Sequence, residues 1–380
     1  MVTATGSAPI AVELEKFASS SGSVPTTVLL GAMLRASGQV SDLIFSPGRP
    51  AQIEVLGQLI PVQIPGMQAM SADDTRRLAA DLIGSNKQAI TLLREQGSCD
   101  VSYGLPGVAR FRVNVFIQRG SCAVVMRVIP TLIPSFGSLG LPEQLREVAS
   151  LRDGIVLVTG PRGSGKSSTL ATLLDSINEQ QTCHIITIED PIEFLHNHKR
   201  ATIHQRELHS DTPNFGLALR AALRQAPKVI LVGELRDRET MERVIEAAET
   251  GHLVLSTVNA VDAAKTVEKI VAAFAPSEHA SIRGRLARTL RCIVAQKLLP
   301  RKDGSGRVAA FEILKVTPRA LQFIESAGLM GQSLLQLMKE GASDGMQHFD
   351  SEIAKLVRAG VVDPEIAMAY ATEPEEIGHL

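Results

Sequence analysis

One run of residues constrains this chain more than any other feature: Gly160-Pro161-Arg162-Gly163-Ser164-Gly165-Lys166-Ser167. It follows an apolar, strand-like segment, Gly154-Ile155-Val156-Leu157-Val158-Thr159, and it leads into Ser168-Thr169-Leu170-Ala171, the start of a helix-like pattern. Strand, glycine-rich loop and helix in that order form a phosphate cradle. The glycines let successive backbone N–H groups turn inward, and the new helix adds the positive end of its dipole. Lys166 supplies a mobile cation for the β- and γ-phosphates, and Ser167 a hydroxyl for Mg²⁺. Gly160, Pro161, Arg162, Gly163, Ser164, Gly165, Lys166, Ser167 and Ser168 are thus the expected contacts of a bound nucleoside triphosphate. A glycine turn without a ligand would leave the Lys-Ser pair at its end unexplained.

A phosphate loop needs partners at neighbouring strand ends, because the strand ends of a parallel sheet converge on one crevice. Apolar segments at 155–159, 183–189, 229–233 and 253–257 alternate with amphipathic helical patterns, which predicts a helix-covered parallel sheet. The second segment runs into Glu189-Asp190-Pro191-Ile192-Glu193. Carboxylates crowded past an apolar strand either handle a cation and water or form a solvated acidic turn. On the first alternative Glu193 polarises water, while Glu189 and Asp190 order Mg²⁺. The third segment ends in Gly233-Glu234, where a carboxylate one residue past four aliphatic side chains is placed to orient water or metal. Arg236 and Asp237 beyond it are also readable as surface ion-pair partners. His252, just before the fourth segment, is either a phosphate sensor or a satisfied structural imidazole.

Upstream, residues 25–130 read as a smaller α+β domain. Helices are predicted at 26–36 and 71–85, and strands at 42–45, 53–56, 99–103, 107–117 and 122–129, the last two joined by a hairpin at 118–121. Residues 1–24, weak in periodicity, are expected to be a flexible extension. Residues 131–140 are expected to be a linker, and 141–380 the nucleotide domain, mainly helical after residue 276 apart from a hairpin near Asp303-Gly304-Ser305-Gly306.

Composition narrows the function classes. A net charge of −1 gives no global attraction to nucleic acid or an anionic membrane. No apolar run approaches the roughly 18 residues of a membrane span, and the start lacks a signal-peptide pattern. Cys99, Cys122, Cys183 and Cys292 are scattered without a CxxC pair, which points to reduced thiols, no zinc site and a cytoplasmic protein. With no Trp, the cores must be built from Ala, Val, Leu and Ile.

Together these segments resemble a known family. The phosphate loop, Thr187-Ile188-Glu189-Asp190-Pro191-Ile192-Glu193-Phe194, Val232-Gly233-Glu234-Leu235-Arg236-Asp237 and Ala247-Ala248-Glu249-Thr250-Gly251-His252-Leu253-Val254 match, in order, the Walker A, Asp-box, Walker B and His-box motifs of type II/IV secretion ATPases. Within that superfamily the chain is similar to the PilT-like retraction ATPases of type IV pili, over residues 25–350. Ser41-Asp42-Leu43, Ala109-Arg110-Phe111-Arg112-Val113-Asn114, Gly306-Arg307-Val308-Ala309-Ala310 and Gly345-Met346-Gln347 add support.

The resemblance implies a RecA-like P-loop ATPase domain behind a PAS-like domain, and a homo-hexamer that hydrolyses ATP with Mg²⁺. It places the protein in the cytoplasm, peripheral at the inner-membrane pilus base. There it would work on a platform protein, with a paralogous pilus ATPase as a further candidate partner, and it would not act on nucleic acid. It also implies that Glu234 and Glu193 order water and metal, and that Arg110, Arg112 and Arg127 reach the phosphates, although each of the three is equally readable as a solvated surface arginine. The chain departs from the family pattern in several places. Asn259 stands where the family has a second histidine, and Ala226-Pro227-Lys228 replaces an acidic-Pro-acidic run. Arg319-Ala320-Leu321-Gln322-Phe323-Ile324-Glu325-Ser326 replaces the retraction-associated motif, and the tetracysteine zinc motif of extension ATPases is missing. Asn259 hydrogen-bonds but carries no proton at neutral pH. An attenuated or non-catalytic ring subunit therefore stays open beside a motor. A DNA translocase rests only on Arg283, Arg285, Arg288 and Arg291, which also read as a solvated helix face or a subunit interface.

Overall fold

The computed structural model describes residues 10–11, 24–129, 132–327 and 333–377. The chain divides into two units, Met1–Thr131 and Leu132–Leu380.

Unit 1 is a sheet of β1 (Ile10–Ala11), β2 (Val40–Phe45), β3 (Gln52–Val55), β4 (Gln58–Gln63), β5 (Ser98–Leu105), β6 (Ala109–Gln118) and β7 (Ser121–Ile129), in the order β1-β4-β3-β2-β7-β6-β5. All pairs are antiparallel except β1 with β4. Period-two patterning drives it: Phe111, Val113 and Val115 of β6 face the core with Val124 and Met126 of β7, while Arg110, Arg112 and Asn114 take the other face. Helices α1 (Thr26–Arg35), α2 (Ala72–Ile83) and α3 (Lys87–Gln96) complete the unit. The start of α2 is held by a capping box in which Ser71 and Asp74 each accept the other's backbone N–H, at 3.1 and 3.0 Å. The predicted 118–121 hairpin is present, whereas β4 and α3 were not predicted. Of the 1–24 extension only residues 10, 11 and 24 lie within the described residues.

Unit 2 contains β8 (Gly154–Thr159), β9 (His184–Glu189), β10 (Thr202–Glu207), β11 (Val229–Val232), β12 (Leu253–Val258), β13 (Leu290–Pro300) and β14 (Arg307–Lys315), ordered β10-β9-β11-β12-β8-β13-β14. The sheet is parallel except for β14. Every residue of β8 and β12 is buried, as a sheet covered on both faces demands. Val156 and Val158 pack with Leu170, Leu173, Leu174 and Ile177 of α5 (Lys166–Gln180) on one face. Ile155 and Leu157 pack on the other with residues of α6 (Phe215–Ala222), α7 (Arg238–Glu249), α8 (Ala263–Ala272) and α9 (His279–Thr289).

After residue 276 the chain is mainly helical, with helices at 279–289, 318–325, 334–340, 349–358 and 364–370, and the predicted hairpin is the β13–β14 pair, with its turn at the expected place. The 131–140 linker needs correction. Within 131–140 a short helix, α4 (Phe136–Leu139), packs the buried Phe136 among Leu145, Leu170 and Leu174.

Candidate nucleotide site

The phosphate loop leaves β8 at Gly160 and enters α5 at Lys166. Gly165, the residue before the helix, has φ +88° and no side-chain cap, so the first-turn amides of α5 are left to a ligand. The cradle has no room for a side chain at Gly160 or Gly165. A Cβ on Gly160 would lie 2.5 Å from the Gln296 carbonyl, and one on Gly165 would lie 2.8 Å from Gln296 Nε2. Gln296, on β13, also accepts the Thr169 hydroxyl at 2.7 Å and so backs the loop from beneath. Sequence reading missed it because the arms of the hairpin expected near 303–306 had no bounds. The Ser164 hydroxyl is buried without a protein partner.

Lys166 Nζ donates to the carbonyls of Gly160 (2.9 Å) and Pro161 (2.8 Å). Burial pushes its pKa below the ordinary lysine range, while the nearby carboxylates of Glu234 and Glu193 pull it back up and Arg162 and Lys269 oppose them. Of the expected acids, Glu234 and Glu193 therefore act on Lys166. Glu234 follows Gly233 at the end of β11, one strand removed from β8. Its Oε2 accepts Arg236 Nε at 2.7 Å and its Oε1 accepts the Asn259 amide. Arg236 also donates to Asp190 Oδ2 at 3.1 Å, so the ends of β9 and β11 meet at its guanidinium, and Asn259 joins the end of β12 to them through Glu234. Asp237 instead caps α7, accepting the Thr240 N–H at 2.9 Å.

Glu189 is engaged beneath this group instead, where its carboxylate accepts the Glu193 backbone N–H. It also accepts Thr187 Oγ1 at 2.7 Å and Gln205 Nε2 at 3.1 Å, and burial pushes its pKa up to about 7 against those hydrogen bonds. His252 is not beside the loop. β12 runs parallel to β8, with Leu253 opposite Gly154 and Val258 opposite Thr159. The intervening six-residue strand, at about 3.3 Å per residue, puts His252 roughly 20 Å from the loop end of the sheet. Its ring bonds the Ala247 carbonyl at 2.9 Å, a structural contact. Asn259, directly after β12, is the residue at the loop end of that strand.

In unit 1, Arg112 and Arg127 are cross-strand partners and Arg110 shares their face. Arg127 donates to the buried Asp42 at 3.0 Å while remaining 73% exposed. On α9 and just beyond it, Arg285 pairs bidentately with Glu249, Arg288 with Glu325 and Arg291 with Asp153, so three of the four arginines that could suggest a DNA surface are already neutralised.

The open helix end, the glycine cradle, the orphan Ser164 hydroxyl and a lysine fit a polyphosphate. Ser167 follows Lys166 in the first turn of α5, and its hydroxyl is an oxygen donor of the kind Mg²⁺ takes together with substrate phosphates; among the described residues no group of three or more His, Cys, Asp or Glu side chains is gathered to hold a metal by itself.

The family described as type II/IV secretion system protein matches residues 106–339, more than half of the sequence. The chain belongs to this family. It is 41% identical over 325 residues to a twitching motility protein of Neisseria gonorrhoeae, covering 86% of this chain and 85% of that one. It is 40% identical over 335 residues to the type IV pilus retraction ATPase PilT of Pseudomonas aeruginosa, covering 88% and 95%. A crystal structure of the pilus retraction motor PilT with bound ADP aligns with a TM-score of 0.81 at 39% identity, over 90% of this chain and 96% of that one. The chain is a PilT-like member of the family and an ATPase. Among the described residues no helix is long and apolar enough to cross a membrane.

Proposed function

We propose that this chain is the ATPase motor of type IV pilus retraction, the machinery of twitching motility, working as a homo-hexamer on the cytoplasmic face of the pilus base against an inner-membrane platform protein. The observation that carries the reading is the gathering of Lys166, Glu193 and Glu234 at one end of the parallel sheet, in a chain matched almost end to end by retraction ATPases. Lys166 and the first-turn amides of α5 hold the triphosphate, and Ser167 with Asp190 orders Mg²⁺, which spreads the charge of the phosphoryl oxygens when bound. Glu193 and Glu234 orient water for in-line attack. Arg110, Arg112 and Arg127 supply charge to the γ-phosphoryl oxygens as the domains close. Expression of this chain in cells lacking their own retraction ATPase tests the assignment. The intact chain restores twitching and Lys166→Ala does not; an expressed, ATP-hydrolysing chain that restores nothing contradicts it.

A second reading is favoured by one contact. Asn259 and Arg236 together occupy both oxygens of Glu234, and a carboxylate so held must be released before it can polarise water. On this reading the chain is an attenuated ring subunit that regulates a paralogous motor. Asn259→His decides between them in a steady-state ATPase assay. The motor reading expects a change of less than about threefold, and a rise of tenfold or more establishes attenuation.

A further inference from the structure

We infer that edge strand β10 braces the loop that carries Glu193, with Gln205 and Glu207 as its positioning residues. The inference rests on the reading of Glu193 as a water-orienting carboxylate, and it deepens that reading.

Residues two apart on a strand share a face. On β10, Ile203, Gln205 and Glu207 form one row, and on β9 the facing row is Ile185, Thr187 and Glu189. Both rows begin apolar in the core and turn polar toward the end of the sheet where the loop lies. Glu207, 3% exposed, accepts the Ile192 N–H at 2.9 Å. The Gln205 carboxamide accepts the His196 N–H at 2.8 Å and donates to the Phe194 carbonyl at 2.8 Å. Glu189 anchors Gln205 through its second amide hydrogen at 3.1 Å. Backbone groups on both sides of Glu193 are therefore gripped from one strand face, while the Glu193 side chain stays exposed toward Lys166.

The Ile192 N–H bond is buried and those of Phe194 and His196 are part-buried, so this row both satisfies the loop groups and fixes their direction. A loop end shifted by about 1 Å can cost a reaction 10²-fold. This assigns Glu189 the work of holding Gln205, in place of a metal contact.

The test compares wild type, Gln205→Met, Glu193→Gln and the double variant, all as the full chain, for steady-state ATP hydrolysis, affinity for a fluorescent ATP analogue and thermal melting. The brace predicts that Gln205→Met lowers kcat about 10- to 100-fold with affinity within about twofold. In the Glu193→Gln background the same change costs less than about twofold more, because the group it positions is already gone. Wild-type kcat in Gln205→Met beside an impaired Glu193→Gln overturns the brace and leaves the site reading intact. A multiplicative loss in the double variant, or affinity falling as far as kcat, also overturns it. An unimpaired Glu193→Gln removes the Glu193 assignment and the brace with it. Should Gln205→Met fail to melt cooperatively, Gln205→Glu takes its place with the same outcomes, since it keeps the acceptor for His196 and loses both donors.

Discussion

A carboxylate that is 3% exposed, with a backbone N–H as its hydrogen bond, is held close to the balance between its two protonation states. Glu312, on β14, is such a group. Its Oε1 accepts the Ala263 N–H at 2.8 Å and so fixes the first turn of α8, which follows directly from the Asn259 segment. Burial pushes its pKa from 4.5 up to about 7, opposed by that N–H and by Lys297. Between those two values the folded chain binds a proton that the unfolded chain does not, so stability falls as pH rises from 4.5 through 7 and then levels. The span corresponds to roughly 3–3.5 kcal/mol. Glu312→Gln keeps the acceptor and removes the titration. It is expected to melt with the wild type at pH 5 and several degrees higher at pH 8, and parallel melting curves across that range contradict the assignment.

At the scale of the element, the phosphate loop depends on a helix that starts without a cap. Gly165 combines φ +88° with the close approach of Gln296, so Gly165→Ala brings backbone strain of about 1–2 kcal/mol and displaces the floor of the cradle. Its affinity for ATP should fall about tenfold or more while the melt shifts by a few degrees, measured by titration with a fluorescent analogue; unchanged affinity would mean that the phosphates sit elsewhere. Sequence made some elements plain and hid others for physical reasons. β8, β9, β11 and β12 were legible because buried parallel strands are continuous aliphatic runs, and Glu234 and Glu193 because acids follow those runs directly. β10 reads Thr-Ile-His-Gln-Arg-Glu, whose apolar content is too low to announce a strand, and with it went Gln205. β13 reads Leu-Arg-Cys-Ile-Val-Ala-Gln-Lys-Leu-Leu-Pro, an apolar run that periodicity alone does not separate from buried helix, and with it went Gln296. β4 contains Pro61, which argues against a strand until its place near the sheet margin is known. His252 differs: in the predicted parallel sheet a residue just before a strand already lies at the end opposite the loop, so strand direction and the motif pointed different ways, and strand direction decides.

At the scale of the whole molecule the proposed work is collective. Arginines of unit 1 act on nucleotide held by unit 2 only if domains or subunits close around it, and a ring of six is the assembly proposed. Sedimentation of the purified 40.7 kDa chain with an ATP analogue should give about six times the monomer mass, and a strict monomer at every concentration contradicts the ring. The central claim, that acids at the strand tips turn over a nucleotide lodged at Lys166, is tested most directly by Glu234→Gln, with ATP hydrolysis and analogue binding measured on the same preparation. The account predicts binding within about twofold of wild type and turnover reduced about 10²–10³-fold, the usual cost of removing one charge-ordering group. Wild-type turnover in that variant would contradict it.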